Sequence, residues 1–291
     1  MTELMPVAPP SPQFTELAQS VQRETRKATL KALGASLGTF ALTIVTVLVL
    51  WQGIIVVFGL SPFVAKGPVD VYHYLFTDVD AAANRAELAT LLSETMVDAF
   101  IGFVFGLLAA TTIAIVFQLN KGVEAALMPI ALLLRSVPLI AFAPVIIMIF
   151  GRDFWTTAVM GGIVVLFPAL VTIAFGLRSA SPQMTDVVTV YGGKATTALR
   201  KVALPSSLPA YFAAVRISVP GAITGALLAE WLATGRGIGG VINGYLTSAR
   251  FDSVWATVVV ITAVSLILYN LVQTIESTAL VRMGMHPDKQ V

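Results

Sequence analysis

DVVTVYGGKATTALRKVALPSSLP, residues 186–209, separates two apolar runs that are each long enough to cross a lipid bilayer. Its first half has a helix-forming composition and is interrupted at Gly192-Gly193. Its second half is basic and reaches Leu204-Pro205 just before the next apolar run. Most short segments between membrane spans are simple connectors. The glycine pair and the prolines within this one favour a segment that folds into a defined local structure.

The flanking residues indicate what that structure is. Ser181-Pro182 can begin a helix, because proline is tolerated in a first helical turn, and Asp186 then lies where a carboxylate stabilises a helix N-terminus. Pro205 and Pro209 are expected to end a second helical piece. The sequence therefore predicts a short helix–turn–helix that lies across one membrane face and docks into a groove on a partner. The alternative is a plain amphipathic connector.

The composition supports a membrane protein. The chain has 291 residues, of which 57% are hydrophobic and 12% charged, whereas a soluble domain has about a quarter charged residues. The fold class predicted from this is all-α, since helices satisfy their own backbone in lipid. A net charge of +2 gives no reason to expect a nucleic-acid partner, and the absence of cysteine excludes disulfides, thiolate metal sites and cysteine nucleophiles.

The apolar runs predict about six transmembrane helices. They are residues 35–59, 99–119, 125–150, 154–177, 210–234 and 254–275. If the N-terminus is cytoplasmic, most of the 18 Lys and Arg residues fall on the cytoplasmic side, as the positive-inside rule expects. The predicted domains are a cytoplasmic tail over 1–34, a transmembrane domain over 35–276 with a cytoplasmic loop at 178–212, and a cytoplasmic tail over 277–291.

Two ionisable residues lie deep in predicted spans. Arg135 and Glu230 either line a translocation path or have structural roles, through an Arg–Glu pair, a bond to a carbonyl, or snorkelling to the interface. Pro129, Pro138 and Pro144 predict that the span at 125–150 is kinked or broken. Neither histidine has neighbours that would form a metal site, so no metal is expected.

A glycine-rich segment at 235–240 satisfies the pattern G-x-G-x-x-G. A dinucleotide site would require a preceding strand and a βαβ unit, whereas membrane spans flank this segment. We therefore predict an external or re-entrant turn. Small-residue pairs at Gly102/Gly106 and Gly221/Gly225 predict close helix packing, within the chain or between copies.

The segment at 186–209 resembles the cytoplasmic coupling loop of the permease subunits of ABC importers. Its pattern is E-A-A, then a small pair, then a hydrophobic residue before x-L-P. The matching residues, on which the resemblance places contact with the ATPase, are Asp186, Val187, Val188, Gly192, Gly193, Leu204 and Pro205.

Further segments resemble the subgroup of these permeases that imports nitrate, sulfonates, taurine and vitamin precursors. They are Arg135–Pro138, Ala229-Glu230-Trp231 and Gly237–Gly240. This resemblance places Arg135, Pro138, Glu230, Trp231 and Gly239 on the translocation path of a small solute.

The resemblance also implies the partners. They are a cytoplasmic ABC ATPase dimer, a second permease copy, an extracytoplasmic substrate-binding protein and the lipid of a bacterial inner membrane, with both termini cytoplasmic. The chain is then a transport subunit and not an enzyme. It has no phosphate-binding loop, so ATP and Mg²⁺ would bind the ATPase. The alternative is a self-contained transporter or channel driven by an ion gradient. A third class, an intramembrane enzyme, has no support, because the sequence contains no H-E-x-x-H or G-x-S-x-G motif.

Overall fold

A computed structural model describes residues 38–39 and 41–285, and this part of the chain is helical without a β-strand. The predicted tail over 1–34 lies outside the described residues. The helices are α1 (Ala41–Val57), α2 (Pro68–Tyr72), α3 (Ala81–Leu119), α4 (Lys121–Arg135), α5 (Leu139–Phe150), α6 (Phe154–Arg178), α7 (Pro182–Val190), α8 (Ala195–Ala198), α9 (Leu204–Ala229), α10 (Gly237–Thr247) and α11 (Phe251–Arg282).

The chain divides at Pro68 into two compact units. The described part of the first contains the apolar helix α1, and residues 38–39 ahead of it are also helical. In the second, four helices are long and apolar enough to cross a membrane: α3, α6, α11 and the continuous helix Ala195–Thr234. The bent pair α4–α5 brings this number to five. The all-α prediction is confirmed, and the described residues support four or five full-length spans where six are predicted.

The core of the second unit lies where α6 packs against both α3 and α9. Small residues allow this close approach: a Cβ built at Gly102 would lie 2.7 Å from the Gly161 Cα, and one at Gly225 would lie 2.6 Å from the same atom. Both distances are far below a normal carbon–carbon contact. The predicted close packing is therefore confirmed at Gly102, Gly106 and Gly225, between helices of one chain, whereas Gly221 makes only an ordinary contact.

The predicted span 125–150 is broken. Its two halves, α4 and α5, meet at an angle of 104°. The break is at Ser136–Pro138, where Pro138 adopts an extended conformation and caps α5. Pro129 and Pro144 lie inside α4 and α5, so only one of the three prolines marks the bend.

One predicted boundary is wrong. Pro205 and Pro209 do not end a helix: both lie within the continuous helix Ala195–Thr234, Pro205 just after the π-helical turn Leu199–Ala203 and Pro209 inside α9. The predicted tail over 277–291 overlaps the end of α11, which continues to Arg282, and its last residues, 286–291, lie outside the described residues.

Candidate functional site: a helix–turn–helix loop and a polar clasp

The loop between α6 and α9 has the predicted helix–turn–helix form. Pro182 occupies the first turn of α7, and Gly192 follows the helix with a φ of +77°. The Gly193 N–H donates to the Val188 carbonyl at 2.8 Å. A Cβ at Gly193 would lie 2.5 Å from Val188 Cγ1, so this position has no room for a side chain. The two glycines therefore close α7 through a left-handed turn.

Asp186 does not lie at the N-terminus of α7 as predicted. It is the fifth residue of this nine-residue helix, and the first turn has no acidic residue. It is exposed, as is Pro205, while Val188 and Leu204 are partly covered. The most exposed apolar side chains of the loop are those of Val190 and Tyr191, which are 85% and 87% exposed.

The loop is attached to the helical core at its start. Arg178, the last residue of α6, forms an ion pair of 2.6 Å with Glu124 of α4. Glu124 also pairs with Lys121 at 3.2 Å. The side chain of Asn120 caps α4 by accepting from the Gly122 and Val123 N–H groups, both at 3.1 Å. The sequence analysis did not identify this anchor, although an asparagine just before a helix with an acidic residue in its first turn is a recognisable helix start.

A second site forms where α10 begins. The N–H groups of its first three residues all donate to side chains of other elements: Gly237 to Glu94 Oε2 at 2.8 Å, Ile238 to Thr95 Oγ1 at 2.9 Å, and Gly239 to Glu230 Oε2 at 2.8 Å. The Thr95 hydroxyl in turn donates to Glu230 Oε2 at 2.9 Å. We call this set of residues the clasp.

The clasp explains the G-x-G pattern of the segment at 235–240. Gly237 has a φ of +63°, and any Cβ on it would clash with the carboxylate of Glu230. A Cβ on Gly239 would clash with the Leu227 carbonyl. The glycines therefore let the backbone approach a buried carboxylate, and helices flank this segment on both sides.

Glu230 is fully buried, with 0% of its surface exposed. Snorkelling to the interface is therefore excluded for this residue. It also forms no ion pair with Arg135, which lies exposed at the end of α4 beside the Pro138 break. Trp231, next in the chain, is 44% exposed. Of the five predicted path residues, the structure brings only Glu230 and Gly239 into contact.

The clasp is connected to two further elements. Glu230–Thr234 form a π-helical turn at the end of α9, and Arg152, after α5, donates to the Ala233 carbonyl in this turn at 3.3 Å. At the other end of α10, the Tyr245 hydroxyl donates to Glu87 of α3 at 2.8 Å. Burial, followed by this hydrogen bond, raises the pKa of the Tyr245 phenol well above its ordinary value, so the phenol remains a donor at neutral pH.

The partners in the clasp are distant in sequence. Thr95 and Glu230 are separated by 135 residues, and Ile238 lies 143 residues from Thr95. Sequence analysis missed Glu94, Thr95 and Arg152, because no local pattern pairs a threonine in one span with a glutamate in another.

Residues 102–280 match the family described as "Binding-protein-dependent transport system inner membrane component". The chain belongs to this family. It is therefore a membrane permease, and both the loop and the clasp lie within or beside the matched residues. Membership of a multi-component transport family also argues against the alternative of a self-contained, gradient-driven transporter.

Known permeases are similar over most of their length. A probable ABC transporter permease protein of Haemophilus influenzae is 26% identical, over 76% of this chain and 88% of that protein. The formylaminopyrimidine transport permease protein of Halalkalibacterium halodurans is 23% identical, over 76% and 86%. The taurine transport system permease protein of Escherichia coli is 24% identical, over 80% and 84%.

A solved structure shares the fold. A crystal structure of an amino acid ABC transporter with histidines has a TM-score of 0.53 and 16% identity, covering 71% of this permease and 99% of that chain. At this identity the likeness concerns the fold alone. It supports the predicted all-α fold.

Proposed function

We propose that this permease is the membrane subunit of an ATP-driven importer, and that its loop 178–212 docks on a separate ABC ATPase. The observation that carries the proposal is the exposed apolar face of α7. Met184, Val187, Val190 and Tyr191 are 58%, 55%, 85% and 87% exposed. They recur at helical spacing on a segment between two spans, and exposed apolar patches of this kind typically mark protein interfaces.

The loop is built to transmit motion. Its first helix follows α6, which the Arg178–Glu124 pair ties to α4. Its second helix continues without a break into α9, because Ala195–Thr234 form one helical run. A rigid displacement of the docked turn would therefore move α6 and α9 together. Asp186, Val187, Val188, Gly192, Gly193, Leu204 and Pro205 are the proposed coupling residues.

The proposed path uses the broken span. Transporters place interrupted helices at their binding sites, and Arg135 is exposed where α4 ends and Pro138 begins α5. The names of the relatives support a small solute, such as a sulfonate or a vitamin precursor. The proposed assembly has two permease copies, an ATPase dimer that binds ATP and Mg²⁺, and an extracytoplasmic binding protein, with both permease termini in the cytoplasm.

The test is a mild-detergent pull-down of the tagged permease from its own membranes, followed by mass spectrometry. We expect a stoichiometric soluble ATPase with a phosphate-binding loop. Gly192→Glu, which adds charge to the docking turn, should lower ATPase recovery at least tenfold at equal membrane abundance. Gly192→Asn is the matched control, because asparagine tolerates the left-handed conformation and is uncharged.

Two results would overturn the proposal. One is a homo-oligomer that carries no ATPase even after crosslinking. The other is equal ATPase recovery and equal solute uptake with Gly192→Glu and Gly192→Asn.

A further inference from the structure

We propose that Glu230 is a positioning residue of the transport cycle: it fastens the first turn of α10 to α3 through the clasp, and ATP-driven movement of α9 releases this clasp. This inference rests on the proposed function. It changes the role of Glu230 from a residue that lines the path to one that holds a latch.

The first argument is the way in which α10 begins. A helix normally relies on its own N-cap residue to satisfy one of its free N–H groups, but Arg236, the N-cap of α10, makes no such bond. Three consecutive N–H groups are instead bound by Glu94 and Thr95 of α3 and by Glu230 of the π-helical turn. The start of α10 is thus held from outside, and separation of α10 from α3 would break at least two of these bonds.

The second argument is the chemistry of the holding group. A glutamate without a cationic partner is an expensive group to bury, and a permanent cap could be a neutral serine or asparagine. Oε2 of Glu230 accepts two hydrogen bonds, while Oε1 is buried without a partner. The hydrogen bonds to Glu230 stabilise the closed clasp, whereas the desolvation of its carboxylate destabilises it. Opening the clasp to water would remove this desolvation cost. A contact with such opposing contributions is better suited to opening and closing than to permanent structural support.

The third argument is the position of Glu230 in the chain. It is the first residue of a π-helical turn, Glu230–Thr234, at the end of α9. A second π-helical turn, Leu199–Ala203, lies just before α9 on the loop side. Turns of this type are often found at functional positions in helices. Arg152 also holds the turn at Glu230–Thr234 from the loop after the broken span. Movement of α9, or of the segment that carries Arg152, would therefore act on the turn that carries Glu230.

The absence of cysteine in this chain allows a direct test. Ile238→Cys places one thiol at a position that is 0% exposed, and it leaves the backbone N–H of the clasp in place. Membrane-impermeant maleimide labelling is measured in native membrane vesicles of both orientations, with and without ATP and vanadate. Leu170→Cys, at a 2% exposed core position of α6, is the matched buried control, and Leu246→Cys, 47% exposed, is the accessible control.

We expect Ile238→Cys to be protected without nucleotide and labelled at least tenfold faster with ATP and vanadate, while Leu170→Cys stays protected in both conditions. Adding Glu230→Ala should make Ile238→Cys reactive without nucleotide, because two acceptor bonds are lost. Glu230→Gln should restore protection, because its amide oxygen can accept both bonds. Thr95→Val, which removes the linking hydroxyl, is the second variant and should also raise the labelling rate.

A labelling rate of Ile238→Cys that does not change with nucleotide, in membranes where the ATPase co-purifies, would overturn the latch alone. So would full protection with both Glu230→Ala and Thr95→Val. Wild-type membranes without an associated ATPase would overturn the proposed function and the latch with it. Labelling of Leu170→Cys in a variant would show general unfolding and would refute the claim that the variant acts on the clasp.

Discussion

Replacement of Gly225 by alanine tests the close packing of α9 against α6 in this permease. Gly225 lies on α9 where this helix crosses α6, and an added Cβ would lie 2.6 Å from the Gly161 Cα. Gly221, one turn earlier on the same helix, is a matched control. A Cβ there would lie 3.6 Å from its nearest neighbour, Val164 Cγ1, which is an ordinary contact.

The expected difference follows from these two distances. Alanine favours a helix over glycine by about 1 kcal/mol at either site, so this effect cancels between the variants. At position 225 the helices must move apart by roughly 1 Å to reach a normal carbon–carbon distance. Overpacking a tight core typically costs about 1–3 kcal/mol. Gly225→Ala should therefore be less stable than Gly221→Ala by about 1–3 kcal/mol, nearly all of it overpacking.

The assay is unfolding by dodecyl sulfate in mixed micelles, followed by the fluorescence of the four tryptophans. Gly221→Ala should unfold at or slightly above the wild-type midpoint, and Gly225→Ala below it. If Gly225→Ala were as stable as Gly221→Ala, the crossing of α9 and α6 at Gly161 would be wrong as described.

Three further changes can be measured in the same assay. Asn120→Ala removes the cap of α4 and should lower the free energy of unfolding by about 1 kcal/mol. Glu124→Gln should cost about 1 kcal/mol, and a double-mutant cycle with Arg178→Gln should show a coupling of at least about 0.5 kcal/mol, because the carboxylate is largely covered. Tyr245→Phe loses the bond to Glu87 and should cost about 1 kcal/mol. Since the pKa of the Tyr245 phenol is raised, its contribution should be complete below the ordinary tyrosine pKa of about 10 and lost at higher pH.

The sequence was most informative about helix boundaries where charged residues flank an apolar run on both sides. The span predicted at 154–177 corresponds to α6 at Phe154–Arg178, because Asp153 and Arg178 define its ends. It was least informative about prolines. Pro138 breaks a span while Pro129, Pro144 and Pro209 lie within helices, since neighbouring groups decide whether a freed carbonyl is tolerated.

The loop at 178–212 and the clasp also differ in how far the sequence predicts them. The helix–turn–helix form of the loop 178–212 was predictable because its glycines act locally: the left-handed Gly192 and the crowded Gly193 belong to one turn. The clasp was not predictable, because Glu94 and Thr95 join Glu230 only after α3 and α9 have packed together. A buried glutamate beside a glycine-rich segment was visible in the sequence, but its partners were not.

The continuous helix Ala195–Thr234 gives the two sites a common mechanical element. A π-helical turn contains one more residue per turn than an α-helix, so forming or losing one shifts the register of everything beyond it. This helix has such turns only near its two ends, at Leu199–Ala203 and Glu230–Thr234. The segment between them packs closely against α6 at the Gly225–Gly161 crossing, so we expect it to move as one body. In the proposed mechanism, a displacement that begins at the loop 178–212 is absorbed at the first turn or transmitted to the clasp at the second.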